Sequence, residues 1–344
     1  MNINDDIIQA AQEAPLSMQF EGAKKKGFTK WKSKFRKKLI KLLGDISPPG
    51  SWQCYEQSRT DFEDHTRLEF ILQSEGTPSV PLYLLIPKGQ KAGPLPAVLC
   101  IHGHGLYGHH PVAGRDDLPG VADAIKDAQY DYGLQFVRRG YIVAAPCMIP
   151  FGCRVEKDTY DSDPCAVTFV RMQALGKLLI AENVRDLRWS LDFLCSRSEV
   201  DNKRIGCAGL SYGGRMTMFT TAVDKRIKVA AVSGALNLLQ ERIGNRYSCG
   251  SQIVPGLLKY GDFSEIGSLI APRPCIWETG STDGLIVPVW SDIFRDRLLR
   301  AYRAAGKERN LYFDRFEGGH RWNGKIAFPV FDEVLKPSSV ASES

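Results

Sequence analysis

The chain has 344 residues, of which 43% are hydrophobic and 24% are charged, and its formal net charge is +6. That balance is ordinary for a globular protein with enough chain for a large core. The mild charge, part of which lies in one N-terminal segment, does not support a nucleic-acid partner. No stretch approaches the roughly 18 uninterrupted apolar residues of a membrane span, and residues 1–6 do not begin a secretion leader. We therefore expect a cytoplasmic protein without a membrane or nucleic-acid partner.

The first fifty residues form a predicted helical extension. Apolar side chains at positions 28, 31, 35, 39 and 42 fall on one helical face, and Gly44 is a suitable stop. The rest of this segment is rich in lysine, which fits either a helix on a membrane surface or a solvated face whose aromatic side docks on the main domain. We favour docking, because charge runs usually face water.

Residues 51–336 form one predicted catalytic domain, followed by a disordered tail at 337–344. Short β-type runs at 67–72 and 80–86 predict antiparallel edge strands. After Pro94, buried strands alternate with helices: we predict strands at 97–101, 141–145, 204–208, 229–232, 275–279 and 311–316, with helices at 178–196, after 208, at 290–304 and near the C-terminus. This alternation indicates an α/β fold with a mostly parallel sheet covered by helices on both faces.

The nine cysteines are scattered along the chain and odd in number, and several lie in apolar, strand-like runs. This usage predicts buried reduced thiols rather than a disulfide framework.

Ser211 lies in the motif Gly209-Leu210-Ser211-Tyr212-Gly213, between a predicted strand and a predicted helix. The pattern G-x-S-x-G is common by chance, but the strand, sharp turn and helix around it are what a nucleophile elbow requires. Small residues on either side of the serine allow close packing in a strained turn. The motif in this context predicts a serine hydrolase.

A serine hydroxyl needs an imidazole to take its proton and a carboxylate to orient that imidazole. The expected chain order in this architecture is Ser, Asp or Glu, then His. His320 is the only histidine after Ser211, and it follows the last predicted strand in a glycine-rich loop. Asp283 is the best carboxylate because it follows the strand at 275–279; Glu278 inside that strand and Asp292 on the next helix fit less well.

The oxyanion of a tetrahedral intermediate needs backbone donors, usually the residue after the nucleophile and one in the loop after an earlier strand. The sequence therefore predicts the N–H of Tyr212 as the first donor. We expect the second from His104, with Gly103 as the next choice; the alternative is that these glycines only form a tight turn.

A metal-dependent hydrolase is the main alternative class. His102, His104, His109 and His110, with Asp116 and Asp117 nearby, resemble a ligand cluster at the end of a strand. A dinuclear zinc hydrolase of the metallo-β-lactamase type would need H-x-H-x-D-H, and Leu106 and Tyr107 occupy the positions of the acid and the last histidine. We therefore expect neither a metal nor another cofactor; a chelator would inactivate a metallohydrolase and leave a triad enzyme active.

In these residues and in the segments around them, the chain resembles the α/β-hydrolase superfamily. Within it, the chain resembles the dienelactone-hydrolase-like and acetyl xylan esterase-like bacterial serine esterases. The matching segments lie between about residues 80 and 325; they are CIHGHG at 100–105, FVRRGYIVAAP at 136–146, EVDNKRIG at 199–206, PGLLKYGD at 255–262, IAPRP at 270–274 and GGH at 318–320. The resemblance implies a triad of Ser211, Asp283 and His320 without a cofactor.

The chain departs from both subgroups at the elbow. Dienelactone hydrolases use a cysteine where this chain has Ser211, and cephalosporin-deacetylase-type esterases carry glutamine where it has Tyr212. Neither specificity can therefore be carried over directly. The first fifty residues also fall outside the clear match.

Long insertions at the carboxyl ends of the strands, at about 106–130, 148–176 and 237–262, should form the substrate pocket. Five side chains in them could contact a polar or carboxylate-bearing substrate; they are Arg154, Arg171, Arg242, Arg246 and Tyr247. We expect hydrolysis of a short-acyl ester, such as an acetyl ester of a carbohydrate or small alcohol. An amide or lactone substrate, a non-catalytic binding module on a hydrolase scaffold and a homo-oligomeric state remain open alternatives.

Overall fold

The computed structural model describes residues 2–22, 24–90, 92–155, 162–244 and 249–336. In this part of the chain nine strands form one sheet; they are β1 (Gln53–Asp61), β2 (His65–Ser74), β3 (Thr77–Pro87), β4 (Leu95–Ile101), β5 (Ile142–Pro146), β6 (Val200–Leu210), β7 (Ile227–Ser233), β8 (Cys275–Gly280) and β9 (Leu311–Phe316). The order across the sheet is β1-β2-β3-β5-β4-β6-β7-β8-β9. In this order, neighbours among β1, β2, β3 and β5 pair in antiparallel fashion. From β5 through β4 to β9, neighbouring strands are parallel.

Eleven α-helices accompany the sheet in the described ranges; they are α1 (Ile3–Gln12), α2 (Lys25–Leu43), α3 (Val121–Ala128), α4 (Tyr132–Arg138), α5 (Pro164–Ala174), α6 (Leu179–Ser196), α7 (Tyr212–Val223), α8 (Leu239–Gly244), α9 (Phe263–Ser268), α10 (Pro288–Ala304) and α11 (Ala327–Leu335). The predicted α/β fold, with a mostly parallel sheet and antiparallel strands at its N-terminal side, is confirmed. No single helix among the described residues is long and apolar enough to cross a bilayer, although α5 and α6, bent by 98°, pass that test together by length and composition.

The central strands are buried on both faces, as their unbroken apolar runs predict. Along β4, Leu99 and Ile101 belong to the core under α6 and α7, whereas Val98 and Cys100 belong to the core under α4 and α11. Side chains of a strand alternate between faces, so a strand covered on both sides has no polar side. The sheet therefore holds its carboxyl ends in a rigid frame for the loops that follow them.

Helix α2 packs its aromatic face against the domain. Phe28, Phe35 and Leu39 are buried. The lysine-rich side is not wholly solvated, because Lys32 donates to the carbonyl of Ala271 and burial lowers the pKa of Lys32 to about 8. The predicted tail at 337–344 lies outside the described residues.

The expectation that all cysteines are buried and reduced is wrong in two respects. Cys165 on α5 and Cys249, 84 residues later, form a disulfide, which joins two of the three predicted insertions. Of the free cysteines, Cys54 and Cys153 are exposed. Parity and spacing could not reveal this pairing, since the two partners meet only through the folding of separate loops.

Candidate active site

The turn between β6 and α7 holds Ser211 in a conformation that side chains rarely adopt. Its φ is +63° and its ψ is −121°, and such strain in a non-glycine residue persists only where the surroundings enforce it. A Cβ atom on Gly213 would lie 1.9 Å from the carbonyl oxygen of Ile101, and one on Gly209 would lie 2.5 Å from the Gly213 backbone. Only glycine at both positions lets the helix approach the sheet this closely.

His320 and Asp283 meet at the ends of β8 and β9. The His320 Nδ1 atom lies 2.7 Å from Asp283 Oδ2, and the Asp283 side chain is only 1% exposed. The other carboxylate oxygen, Oδ1, accepts the Leu285 N–H at 2.9 Å. The imidazole rests against Gly234, where a Cβ would lie 2.7 Å from His320 Cε1. This packing directs one ring nitrogen to the carboxylate and leaves the other for a different partner.

Ser211 and His320 line one cavity of about 320 Å³, near the lower end of the usual range for ligand pockets. The Nε2 atom of His320 is buried and has no hydrogen-bond partner among the described residues. Catalytic hydrogen bonds are often long before substrate binds. The cavity is lined by His104, Ser211, Tyr212, Arg215, Gly234, Ala235, Asn237, Arg242, Cys249, Gln252, Leu285 and His320.

Of the three predicted oxyanion donors, two remain suitable in the structure and one does not. Tyr212 is the first residue of α7, so its N–H has no acceptor within the helix, and the positive end of the helix dipole lies there. His104 lines the cavity and packs its ring 5.0 Å from that of Phe151. The N–H of Gly103, in contrast, is donated to the Tyr130 hydroxyl. Tyr212 and His104 therefore remain the better pair.

The structure brings one of the three described candidate arginines to the cavity. Arg242 lines it and donates to the carbonyl of Leu285 at 2.8 Å. Arg154 instead is buried against Asp186, with 2.7 Å between Nη1 and Oδ2, and Arg171 is exposed on α5. The other two candidates, Arg246 and Tyr247, lie outside the described residues.

Arg215 is a buried cavity residue that the sequence reasoning missed. It is 1% exposed, and its guanidinium lies 3.7 Å from the centre of the Phe263 ring. Its hydrogen-bond partners include the amide oxygens of Asn237 and Gln252, and no carboxylate of the described chain lies within ion-pair distance. Burial lowers the pKa of Arg215 to about 9. A signal was present, since a residue four positions after Ser211 lies one helical turn below it.

The four histidines of the predicted alternative metal cluster do not converge. His102 is buried and uses both ring nitrogens, Nδ1 for the Gly103 carbonyl at 2.7 Å and Nε2 for the Met148 N–H at 2.9 Å; burial lowers its pKa to about 4. His110 bonds the Tyr83 hydroxyl at 2.9 Å. Among the described residues, no group of three or more potential ligand atoms contains two of these histidines.

Glu278, a less favoured candidate for the orienting acid, instead supports the loop that carries His320. It is fully buried on β8 and accepts the backbone N–H of Gly324 at 2.9 Å and of Asn323 at 3.4 Å. Burial raises the pKa of Glu278 to about 7. Asp292, the other candidate, is exposed on α10.

Glu278→Gln is expected to reduce the pH dependence of stability. A carboxyl whose folded pKa is raised stabilises the fold fully below its ordinary pKa of 4.5, and that contribution is lost as the pH rises towards about 7. Between pH 5 and pH 7 the wild type should therefore lose about 2 kcal/mol more unfolding free energy than the variant. Urea unfolding at both pH values measures the difference. The exposed Glu317→Gln should behave as wild type, and parallel curves for wild type and Glu278→Gln would contradict the assignment.

The fold and the site together define an α/β-hydrolase, with a strained serine after a central strand and a histidine–aspartate pair at the ends of the last two strands. A model of the Abhydrolase family matches residues 9–316, and the chain belongs to that family. The match begins at residue 9, so it includes most of the helical extension that the motif-based resemblance had left out.

Comparisons with individual proteins agree with this family. The chain is 32% identical over 296 residues to YtaP of Bacillus subtilis (strain 168), which is named only as a hydrolase; the match covers 83% of this chain and 92% of YtaP. A Bacteroides fragilis NCTC 9343 structure that carries the name of an acetyl xylan esterase superposes with a TM-score of 0.79 at 18% identity, over 98% of this chain and 95% of that one. A glucuronoyl esterase from Solibacter usitatus has a TM-score of 0.64 at 14% identity, over 89% and 93%. At such identities the structural likeness shows the fold.

Proposed function

We propose that this protein is a serine esterase that cleaves short-acyl carboxylic esters with a triad of Ser211, His320 and Asp283. The observation that carries the proposal is the 2.7 Å contact between His320 Nδ1 and Asp283 Oδ2, in a cavity that His320 shares with Ser211. A carboxylate on Nδ1 holds the imidazole in the tautomer whose Nε2 accepts a proton.

Acylation begins when the Ser211 hydroxyl oxygen bonds to the ester carbonyl carbon and its proton passes to His320 Nε2. The resulting oxyanion accepts hydrogen bonds from the N–H groups of Tyr212 and His104. The bond to the alcohol oxygen then breaks, and His320 returns the proton to that oxygen. Water repeats the sequence on the acyl-enzyme and releases the acid, while Asp283 stays ionised and stabilises the imidazolium.

The surroundings of the serine support a short acyl group and a hydroxyl-rich alcohol. An apolar side pocket of about 230 Å³ adjoins the cavity at His104, with Pro150 and Phe151 in its lining. The wall formed by Arg215, Asn237 and other polar residues of the cavity offers hydrogen bonds to hydroxyl groups. We therefore infer an acetyl or similar short ester of a carbohydrate or small polyol as substrate, in keeping with the name of the acetyl xylan esterase of similar fold.

A panel of aryl acetates, longer acyl esters, acetylated sugars, lactones and anilides tests this function. We expect kcat/KM to be higher for short acyl esters than for long-chain esters, because long chains outgrow the side pocket of about 230 Å³. A fluorophosphonate should modify Ser211, which peptide mass spectrometry would locate.

Two serine variants provide the controls. Ser211→Ala should lose both turnover and labelling, whereas Ser198→Ala, a change at an exposed serine, should keep both. Turnover that survives in Ser211→Ala would overturn the mechanism, and absence of an adduct in the native wild type would favour a binding module.

A further inference from the structure

A second group of chemically reactive side chains lies where the loop after β4 meets the loop after β5, outside the cavity that holds Ser211. It consists of His109, Cys147 and Cys153, whose ring nitrogen and two sulfur atoms lie within 4.8 Å of one another. Cys147 follows the end of β5, and Cys153 lies in the short 3-10 turn Gly152–Arg154. We call these three residues the His–Cys cluster.

His109 lacks the partners that a buried histidine normally has. His109 is only 1% exposed. Both of its ring nitrogens are buried and have no hydrogen-bond partner among the described residues. The ring stacks against those of Tyr83 and His110, with centroids 4.7 Å away in both cases. Stacking fixes the ring plane but satisfies neither nitrogen, and buried polar atoms left unpaired are rare in native proteins.

The sulfur of Cys147 lies in a narrow space, which is available because two residues beside it are glycines. A Cβ on Gly108 or on Gly152 would lie 3.2 Å from the Cys147 sulfur, and the two glycine backbones approach each other closely there. Both have positive φ, +54° at Gly108 and +52° at Gly152, a conformation that glycine adopts without strain. In the described structure the thiol donates to the Phe151 carbonyl at 3.1 Å. The two loops thus converge around a sulfur atom that faces His109.

We propose that the His–Cys cluster is a binding site for a single zinc ion, with His109, Cys147 and Cys153 as its protein ligands. Two cysteines and one histidine can hold zinc with water in the fourth position. Binding releases the two thiol protons, and the two thiolates neutralise the dication. With bond lengths of about 2.3 Å to sulfur and 2.0 Å to nitrogen, tetrahedral ligand atoms lie about 3.5 to 3.8 Å apart. Since the ligand atoms lie within 4.8 Å of one another, the cluster needs to contract by no more than about 1.3 Å, and the exposed Cys153 can supply part of that movement.

The proposed ion has a structural role beside the active site and takes no part in ester cleavage. The loop between the two cysteines contains Phe151, whose ring lies 5.0 Å from that of His104 and 5.4 Å from that of Tyr212. Both of those residues line the catalytic cavity. Fixing both ends of the loop would hold Phe151 in place. The inference does not rest on the proposed esterase activity.

Cobalt binding to the reduced, metal-free protein tests the site, because thiolate-bound Co²⁺ shows charge-transfer absorption in the near ultraviolet. We expect one Co²⁺ per chain with that absorption, displaced stoichiometrically by Zn²⁺. Cys153→Ser, a change at an exposed residue that should leave the fold intact, is expected to weaken Zn²⁺ affinity at least about tenfold in a chelator competition, since even loss of an outer-shell partner costs that much. His109→Gln should weaken binding similarly.

Two control variants separate this site from other thiols. Cys54→Ser changes an exposed free cysteine on β1 and should bind as wild type. His104→Ala removes the histidine of a second group, with Cys165 and Cys249, and should also bind as wild type. The proposal is overturned if the reduced wild type binds no cobalt, if Cys153→Ser binds it unchanged, or if His104→Ala abolishes the signal.

Discussion

Replacing His320 with alanine is expected to lower kcat for ester hydrolysis by at least about 10⁴-fold, and Ser211→Ala by a similar factor. The reason is geometric: His320 is the one imidazole that lines the cavity with a carboxylate partner, which lies 2.7 Å from its Nδ1. His104 is the other imidazole that lines the described cavity, and no hydrogen bond or ion pair of the described structure gives it a carboxylate to orient its ring. Single-turnover kinetics with an aryl acetate measure the loss in the chemical step.

The double variant makes this test sharper. Residues that act as one unit lose their whole contribution when either is removed, so Ser211→Ala with His320→Ala should be no slower than either single variant. His65→Gln, at a buried histidine on β2 far along the sheet, serves as the matched control and should keep wild-type kcat. Multiplicative losses in the double variant would show that the two side chains act independently and would refute the triad.

The catalytic candidates could be located from sequence because chain order and local context restrict them strongly. Ser211 follows a buried strand and begins a helix, and His320 is the only histidine after it. Asp283 follows the predicted strand at 275–279 and lies between Ser211 and His320 in the chain, as the required order demands. The parallel strands end at the same edge of the sheet, so residues distant in the chain must converge there. Their roles in turnover stay predictions until the variants are measured.

Other parts of the cavity depend on packing that no local pattern reports. The burial of Arg215 among neutral partners follows from the loops that carry Asn237 and Gln252, and the disulfide of Cys165 and Cys249 joins two separate insertions. The Gly103 N–H is occupied by the hydroxyl of Tyr130, 27 residues away. Each of these contacts is made between segments, so spacing along the chain carries no signal for it.

The fold also divides into elements that the sequence pattern predicts and elements that it does not. Runs of buried apolar residues predicted the central strands, and β5 was placed within one residue of its observed start. Strand β1 (Gln53–Asp61) was missed, because it is exposed along its whole length and therefore has no alternation of apolar and polar residues to detect. The insertion of β5 between β3 and β4 is a choice of topology, which hydrophobic periodicity does not encode.

Asp283→Asn is expected to lower kcat by about 10⁴-fold while leaving the protein folded. The amide would keep its oxygen on the Leu285 N–H, which Asp283 Oδ1 now accepts at 2.9 Å. Its NH₂ group would then face His320 Nδ1, where Oδ2 now lies at 2.7 Å. A donor there forces the proton onto Nε2, the nitrogen that must accept the serine proton. The loss should thus appear in kcat, with little change in KM for a substrate that does not contact Asp283.

A matched carboxylate-to-amide change separates this effect from a general loss of charge near the site. Asp292 is exposed on α10, and Asp292→Asn should keep wild-type kcat because no hydrogen bond of the described structure links it to His320. If Asp283→Asn were fully active, the imidazole would not depend on this carboxylate for its tautomer. If Asp292→Asn were the inactive variant instead, the orienting acid would have to come from α10, and the loop between β8 and α10 would adopt a different arrangement when substrate binds.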